Sequence, residues 1–188
     1  CNAVGWMFRG KYGCFSGEGC LKRFYEMIVD DSEFGEVRFL NGFNGNGFDH
    51  ILLVREALRK DLNGVRVNCP NSVIIGGVLK RKNYGNIKLV DVRKHLVGSL
   101  KECLKNFGCS VSKGEFDHSK NRKDISSDEM KELLDYLKKD VEGMVELSEK
   151  ISSFMVGKFG FCWTACCSTS DASYKVWLNG MDDEEVKE

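Results

Sequence analysis

Two aspartates are of interest because of the residues that surround them. Asp49 closes the run Asn44-Gly45-Asn46-Gly47-Phe48-Asp49, in which the pattern predicts a loop that leads into a helix. Helix N-termini favour aspartate through the helix dipole and their unpaired backbone N–H groups. Asp140 follows Tyr136 by four residues, so both lie on one face of a predicted helix, beside its apolar stripe. A carboxylate and a phenol placed in this way can point into a site at the end of a sheet.

Each feature alone also has an ordinary structural explanation. Asp49 could serve only as a helix cap, with the neighbouring Asn-Gly steps as turn chemistry. Tyr136 and Asp140 could be a boundary residue and a solvated residue of the helix. The two motifs therefore need a fold that brings them together before they indicate a site.

The spacing of apolar residues predicts a mixed α/β fold around these motifs. Short apolar runs indicate strands, and apolar residues three or four apart indicate helices. The predicted strands cover residues 3–8, 12–15, 37–40, 65–67, 73–79 and 87–91. The predicted helices cover residues 20–29, 99–107 and 128–155, with one more from Asp49 and another through Tyr174 and Trp177.

Composition places the chain among ordinary globular proteins. Its 188 residues suit one domain or one domain with an appendage, and its 28 basic and 28 acidic residues balance. Residues 80–122 are nevertheless basic, which suits a polyanionic partner as well as a solvated surface. The three histidines, His50, His95 and His118, are expected to be surface or boundary residues rather than ligands.

Cysteine spacing and hydropathy indicate in which cellular compartment the protein is expected. Nine cysteines lack the spacing of a zinc site or a disulfide framework, so we expect reduced thiols in an intracellular protein. No window is apolar over the roughly 18 residues that a membrane span needs, so no membrane partner is expected.

Taken together, the two motifs resemble those of family B DNA polymerases. An Asn-x-x-x-Phe-Asp loop at residues 44–49, followed about 90 residues later by Tyr-x-x-x-Asp at residues 136–140, is the order of the second and third exonuclease motifs in that family. The resemblance implies a 3′→5′ proofreading exonuclease with a ribonuclease-H-like fold, an α/β architecture in which helices flank a mixed β-sheet. In the family, a D-x-E motif on the first strand supplies two more carboxylates. No such motif lies on or before the first predicted strand here.

Further segments resemble the protein-primed branch of the family, which includes viral, linear-plasmid and organellar polymerases. They are the helix at residues 99–108, the motif Lys113-Gly114-Glu115-Phe116 and the tail at residues 169–178. The branch also has a Ser/Thr-Leu-x-x-hydrophobic motif for single-stranded DNA. The corresponding residues 91–96 keep only the final apolar residue, so a contact there would be made to phosphate by Arg93 and Lys94.

The resemblance implies a catalytic group and its cofactor. Asp49 and Asp140 would bind catalytic Mg²⁺ or Mn²⁺ ions, for which hard oxygen ligands are suited. Tyr136 would orient the attacking water. Lys113 would offset charge that develops on the phosphate.

The resemblance also implies partners. Asn44 and Phe48 would hold the frayed 3′ end of a single-stranded primer, with Arg93 and Lys94 as further DNA-binding residues. The remaining polymerase domains of a parent chain, and a terminal priming protein in the protein-primed branch, would be the other partners.

The resemblance also implies bounds for the exonuclease domain. Residues 1–157 would form the exonuclease domain without its first motif, and residues 158–188 would begin the connection to the polymerase domain. The chain starts at Cys1 within an apolar run, which favours a fragment truncated at its first strand. With two of about four carboxylates, the two-ion site would be incomplete and the chain alone nearly inactive. Two alternatives stay open: a free-standing ribonuclease-H-like exonuclease, and an inactive nucleic-acid-binding scaffold.

Overall fold

The computed structural model describes residues 2–69, 76–120, 122, 124–166 and 168–180 of the chain. The strands are β1 (Ala3–Phe8), β2 (Lys11–Ser16), β3 (Phe39–Gly42), β4 (Val65–Asn68), β5 (Gly76–Leu79) and β6 (Ile87–Asp91). The helices are α1 (Cys20–Asp30), α2 (Asp49–Lys60), α3 (Leu100–Asn106), α4 (Ser127–Phe159) and α5 (Thr169–Asn179). Short 3₁₀ turns link several elements, among them Gly45–Gly47 before α2 and Val92–His95 after β6.

The described strands form two separate sheets. β1 and β2 pair antiparallel as a hairpin, and the other four form a mixed sheet in the order β3-β6-β5-β4. In the mixed sheet β3 and β6 run parallel, with Gly42 opposite Asp91, whereas β5 is antiparallel to both of its neighbours. The predicted α/β class, with a mixed sheet flanked by helices, is confirmed, and the architecture is consistent with a ribonuclease-H-like fold. Truncation at a first strand stays a prediction.

Two apolar clusters hold these elements together. In the first cluster α1 and α2 pack on the mixed sheet, through residues such as Phe24, Leu53 and Leu89. In the second cluster Val90 of β6 meets α3, α4 and the buried Trp163. Because β6 contributes to both clusters, its position is fixed from both faces of the sheet.

Local signals in the sequence define the ends of α3 and α4. Ser126 accepts a hydrogen bond from the backbone N–H of Glu129, and the Glu129 carboxylate accepts one from the Ser126 backbone N–H, which completes a capping box. Ser99 and Glu102 form the same box at α3. α4 ends where Gly160 adopts a φ of 73°. Although α4 has 33 residues, neither it nor any other described helix is long and apolar enough to cross a membrane.

Several strand and domain boundaries differ from the predicted ones or lie partly outside the described residues. β3 begins at Phe39 rather than Val37, because the backbone N–H of Val37 still closes a turn with Phe34. Of the strand predicted at residues 73–79, residues 73–75 lie outside the described residues and β5 covers the rest. The predicted domain division after residue 157 falls inside the last turn of α4, which ends at Phe159. The division into domains stays a prediction.

The buried face of α4 also differs in part from the predicted stripe. The apolar spacing predicts an inward stripe made of Leu133, Leu134, Leu137, Val141, Met144, Val145 and Ile151. Of these residues Leu133 and Ile151 are buried, but so is Leu147, which does not belong to the stripe. Gly143 explains the difference, because a Cβ added there would stand 3.0 Å from the side chain of Leu104 on α3. The close approach of α3 at this point covers the face of α4 that carries Leu147.

Candidate active site

The loop between β3 and α2 places Asp49 at the start of a helix. Asn44 has a φ of 60°, in the left-handed region that asparagine tolerates better than most residues, and the 3₁₀ turn Gly45–Gly47 follows. α2 then begins at Asp49, whose negative charge is favoured there by the helix dipole. The predicted helix start at Asp49 is confirmed.

The centre of this loop is buried. Asn46 is 8% exposed, and its backbone N–H donates a 3.0 Å hydrogen bond to the Asp91 carboxylate at the end of β6. Its amide oxygen accepts a 2.9 Å hydrogen bond from Nδ1 of His50. Burial lowers the pKa of His50 to about 4, against the opposing effect of the Asp91 charge, so the ring is neutral.

The position of His50 corrects a prediction. The residue was expected at the surface or boundary, but it is 1% exposed. The reason is its helical phase, because His50 lies on the same face of α2 as the buried residues Leu53, Val54 and Ala57. This spacing was present in the sequence and could have placed the histidine in the core.

Helix α4 brings Tyr136 and Asp140 to the same region as Asp49. The Tyr136 phenol is hydrogen-bonded to Asp140, one helical turn further along. Burial raises the pKa of Tyr136, and the hydrogen bond and charge of Asp140, followed by the charge of Asp49, raise it further. The phenol is therefore protonated at neutral pH and donates to Asp140. Since Asp49 acts on the same phenol, the structure brings these three predicted residues together.

A third carboxylate lies at the same end of the sheet. Asp91, the last residue of β6, is 7% exposed and accepts hydrogen bonds from the backbone N–H groups of Asn46 and Arg93. Desolvation and then the charge of Asp91 raise the pKa of Asp49, although Asp49 as a whole is accessible to solvent. Asp91 was not predicted to belong to the site. Its place at the end of a buried parallel strand was the signal that could have indicated it.

Lys113 reaches the site from the segment that follows α3. Its Nζ lies 6.0 Å from the centroid of the Tyr136 ring, and the ring of Phe116 lies 5.7 Å from that ring. A Cβ added to Gly114 would stand 3.1 Å from the Tyr136 ring, so glycine allows this segment to lie directly on α4. Lys113 thus shares the neighbourhood of Tyr136, as its predicted role requires.

The residues predicted to bind DNA lie beside the loop. Phe48 is 64% exposed, and the side-chain oxygen of Asn44 accepts a 3.1 Å hydrogen bond from the Arg93 guanidinium. The backbone carbonyl of Lys94 accepts a 3.0 Å hydrogen bond from the Thr169 hydroxyl at the start of α5. The structure therefore brings Asn44 and Arg93 into contact, with Phe48 on the same loop, and places Lys94 against the tail segment.

The donor atoms suit part of a site for a hard divalent cation. Asp49 and Asp140 offer carboxylate oxygens, which Mg²⁺ and Mn²⁺ prefer. Asp91 is engaged by two backbone N–H groups. Across the described ranges, no group of three or more His, Cys, Asp or Glu side chains is placed to hold a metal ion. The cofactor and the roles assigned to the site residues stay predictions.

Comparison with known proteins adds one relative. No protein-family model matches the chain, and no solved structure matches it. A curated protein of Agaricus bitorquis described as "Probable DNA polymerase" is 26% identical to it over a 175-residue alignment. This similarity supports a relationship to DNA polymerases. The alignment covers 73% of this chain and 22% of that protein, so the chain spans only a part of the relative's length.

Proposed function

We propose that this chain carries the 3′→5′ proofreading exonuclease of a family B DNA polymerase of the protein-primed branch, and that it hydrolyses the last phosphodiester of a mispaired primer during DNA replication. The observation that supports this best is the meeting of Asp49 from the start of α2 with Tyr136 and Asp140 from α4. Two motifs far apart in sequence thereby contribute acidic and phenolic groups to one site. The similarity to a protein described as a probable DNA polymerase agrees with this assignment.

The side chains of the site suggest a division of labour in hydrolysis. Asp49 and Asp140 would hold Mg²⁺ or Mn²⁺ ions, which supply Lewis acidity and a reactive hydroxide when bound. Tyr136 donates to Asp140, and its oxygen would accept a hydrogen bond from the attacking water and keep it in line. Lys113, close to the Tyr136 ring, would balance negative charge on the phosphate in the transition state.

The loop residues suggest how the primer end would be held. Phe48 presents an exposed ring on which a base could stack. Asn44 would donate hydrogen bonds through its amide to the terminal nucleotide, while its oxygen is held by Arg93. Arg93 and Lys94 would attract the phosphates. A frayed, mispaired end would reach this site more readily than a paired end, because no base pairs need to be broken first.

The proposal includes partners beyond the DNA. The relative is much longer than the aligned part, so the remaining polymerase domains would lie in the same polypeptide. A terminal priming protein would be a further partner, as in the protein-primed branch. All of these interactions would take place inside the cell.

A second candidate function is that of a DNA-binding scaffold that does not cut. The observation that favours it is that the described residues lack any group of three or more metal-binding side chains. For the 188-residue chain alone, binding of single-stranded DNA without cleavage is the expected behaviour under both candidates. Activity of the complete polymerase separates the two.

The test uses the complete polymerase to which we assign this chain, with a primer that carries a 3′ mismatch. We expect Asp49→Ala and Asp140→Ala each to reduce degradation of the primer by a factor on the order of a thousand. The matched control is Asp135→Ala, an exposed aspartate on the same helix as Asp140, which should leave degradation unchanged. Nucleotide addition by the same preparations measures the amount of folded enzyme. Degradation that survives in both site variants would refute the exonuclease assignment, and its absence in the wild type would favour the scaffold.

A further inference from the structure

Asn46 is a buried polar residue at the centre of the loop between β3 and α2. Its neighbours Asn44, Phe48 and Asp49 are solvent-exposed, whereas Asn46 itself is 8% exposed. These exposed neighbours are the residues to which the proposed function assigns DNA and metal binding. The position of all three therefore depends on what holds Asn46.

The first contact comes from Asp91. In the parallel pairing of β3 and β6, Asp91 lies opposite Gly42, so its carboxylate stands where the chain leaves β3 for the loop. One oxygen accepts the backbone N–H of Arg93 at 3.1 Å, which caps the 3₁₀ turn after β6, and the other accepts the backbone N–H of Asn46 at 3.0 Å. A single carboxylate therefore joins the end of a core strand to the loop.

The second contact comes from the side chain of His50. Its Nδ1 donates to the Asn46 side-chain oxygen at 2.9 Å, and the ring is 1% exposed. A Cβ added to Gly45 would stand 2.6 Å from this ring, so the backbone passes directly over the imidazole. Asn46 is thus held through its backbone by Asp91 and through its side chain by His50.

We propose that Asp91, together with His50, is a positioning residue that sets Asn44, Phe48 and Asp49 for the exonuclease reaction. The inference rests on the proposed function for its catalytic consequence. It assigns Asp91 a positioning task that uses both of its oxygens, each of which accepts a backbone N–H group. Asp91 is 7% exposed and its hydrogen bond to Asn46 is buried, so loss of the carboxylate leaves the poorly solvated Asn46 N–H without this acceptor.

The structural part of the inference is tested on the 188-residue chain by amide hydrogen exchange. We expect Asp91→Ala to raise the exchange rate of the Asn46 amide by about tenfold or more, since the carboxylate that accepts this N–H is removed. Asp31→Ala is the matched control, because Asp31 also caps a 3₁₀ turn by accepting the N–H two residues later, and this turn, Ser32–Phe34, lies before β3 and not after β6. Unchanged exchange at Asn46 in Asp91→Ala would overturn the inference.

The catalytic part is tested on the complete polymerase with single-stranded primer. A displaced loop moves both the metal-binding and the DNA-binding residues, so Asp91→Ala should lower the exonuclease kcat and raise KM, each by about fivefold or more. A merely structural loss would reduce the fraction of folded enzyme and lower kcat without changing KM. Asp91→Asn retains one acceptor oxygen and should recover part of both changes.

The outcomes separate this inference from the proposed function. Normal kcat and KM in Asp91→Ala, next to an active wild type, would overturn the positioning role alone. No degradation by the wild-type polymerase would overturn the proposed function and the catalytic consequence with it. We expect Asp91→Ala to change both kcat and KM, and Asp91→Asn to recover part of both changes. Asp31→Ala should leave both constants unchanged.

Discussion

The protonation state and the orientation of the Tyr136 phenol depend on residues from several elements. Asp140 on its own helix accepts its hydrogen bond, and Asp49 from α2 adds a second negative charge. Lys113 and Phe116 cover its ring from the segment after α3. Burial and the two carboxylates raise the pKa of the phenol and keep it protonated, and the hydrogen bond to Asp140 fixes its direction. A group that orients water needs both properties.

This arrangement predicts the effect of removing only the phenol oxygen. Tyr136→Phe keeps the ring and its packing, so the free energy of unfolding should change by less than about 1 kcal/mol. Exonuclease kcat of the complete polymerase should fall by a factor on the order of a hundred, because the water loses its orienting group. Tyr174→Phe, at a tyrosine that is 56% exposed, is the control. Full exonuclease activity in Tyr136→Phe would show that the phenol plays no part.

At the residue level, the sequence predicted those groups that belong to a local motif. Asp49, Tyr136 and Asp140 were identified in this way, and the fold brings them together. Asp91 was missed because its partner Asn46 is close in space but distant in the chain, which local spacing does not report. The burial of His50 was missed although its helical spacing with Leu53, Val54 and Ala57 was present in the sequence.

Among the elements, α4 also holds the segment that carries Lys113. Its Glu146 accepts hydrogen bonds from the backbone N–H groups of Ser110 at 2.7 Å and Val111 at 3.1 Å. These hydrogen bonds, Ser110 first and Val111 second, lower the pKa of Glu146 to about 2. The segment that presents Lys113 is therefore tied to α4 shortly before the lysine.

The shift gives a pH-dependent prediction. Because the pKa of Glu146 is lower in the folded protein than the 4.5 of the free side chain, its ionised form stabilises the fold above pH 4.5. That contribution is lost as the pH falls from 4.5 through about 2. Glu146→Gln should therefore be less stable than the wild type at pH 7, and the difference should shrink across this interval. Urea denaturation at each pH measures the free energy of unfolding of the two proteins.

The control for this prediction lies one turn further along the same helix. Glu149 is exposed, so Glu149→Gln should show a smaller difference at every pH. A stability difference for Glu146→Gln that stays constant from pH 7 to pH 3 would contradict the role of the charge.

The elements themselves were predictable where the sequence carries end signals. The capping boxes at Ser99 and Ser126 mark the starts of α3 and α4, which lie within one residue of the predicted starts. The end of α4 was predicted at residue 155, whereas the helix continues to Phe159 and ends before Gly160. β3 was placed two residues early, because apolar character does not reveal that Val37 is still part of a turn. Strand ends depend on partners elsewhere in the sheet, which the sequence does not display.

For the molecule as a whole, the site is formed where the mixed sheet meets α4. The end of β6 and the loop after β3 are joined there, and Asp49 of one sequence motif lies near enough to Tyr136 of the other for its charge to raise the pKa of the phenol. The order of the motifs along the chain could be predicted. The long-range hydrogen bonds that hold the fold around the motifs could not be predicted. Arg81 is a further example, because its buried guanidinium donates to the backbone carbonyls of Ile28, Phe34 and Val37, some 50 residues earlier.

The central claim is that Asp49 and Asp140 act in one site. The measurement is single-turnover degradation of a mismatched primer by the complete polymerase carrying Asp49→Asn, Asp140→Asn or both. Residues that act as a unit have strongly non-additive effects, so we predict that the double variant is no slower than the slower single variant. A double variant whose rate loss equals the product of the two single losses would contradict a shared site.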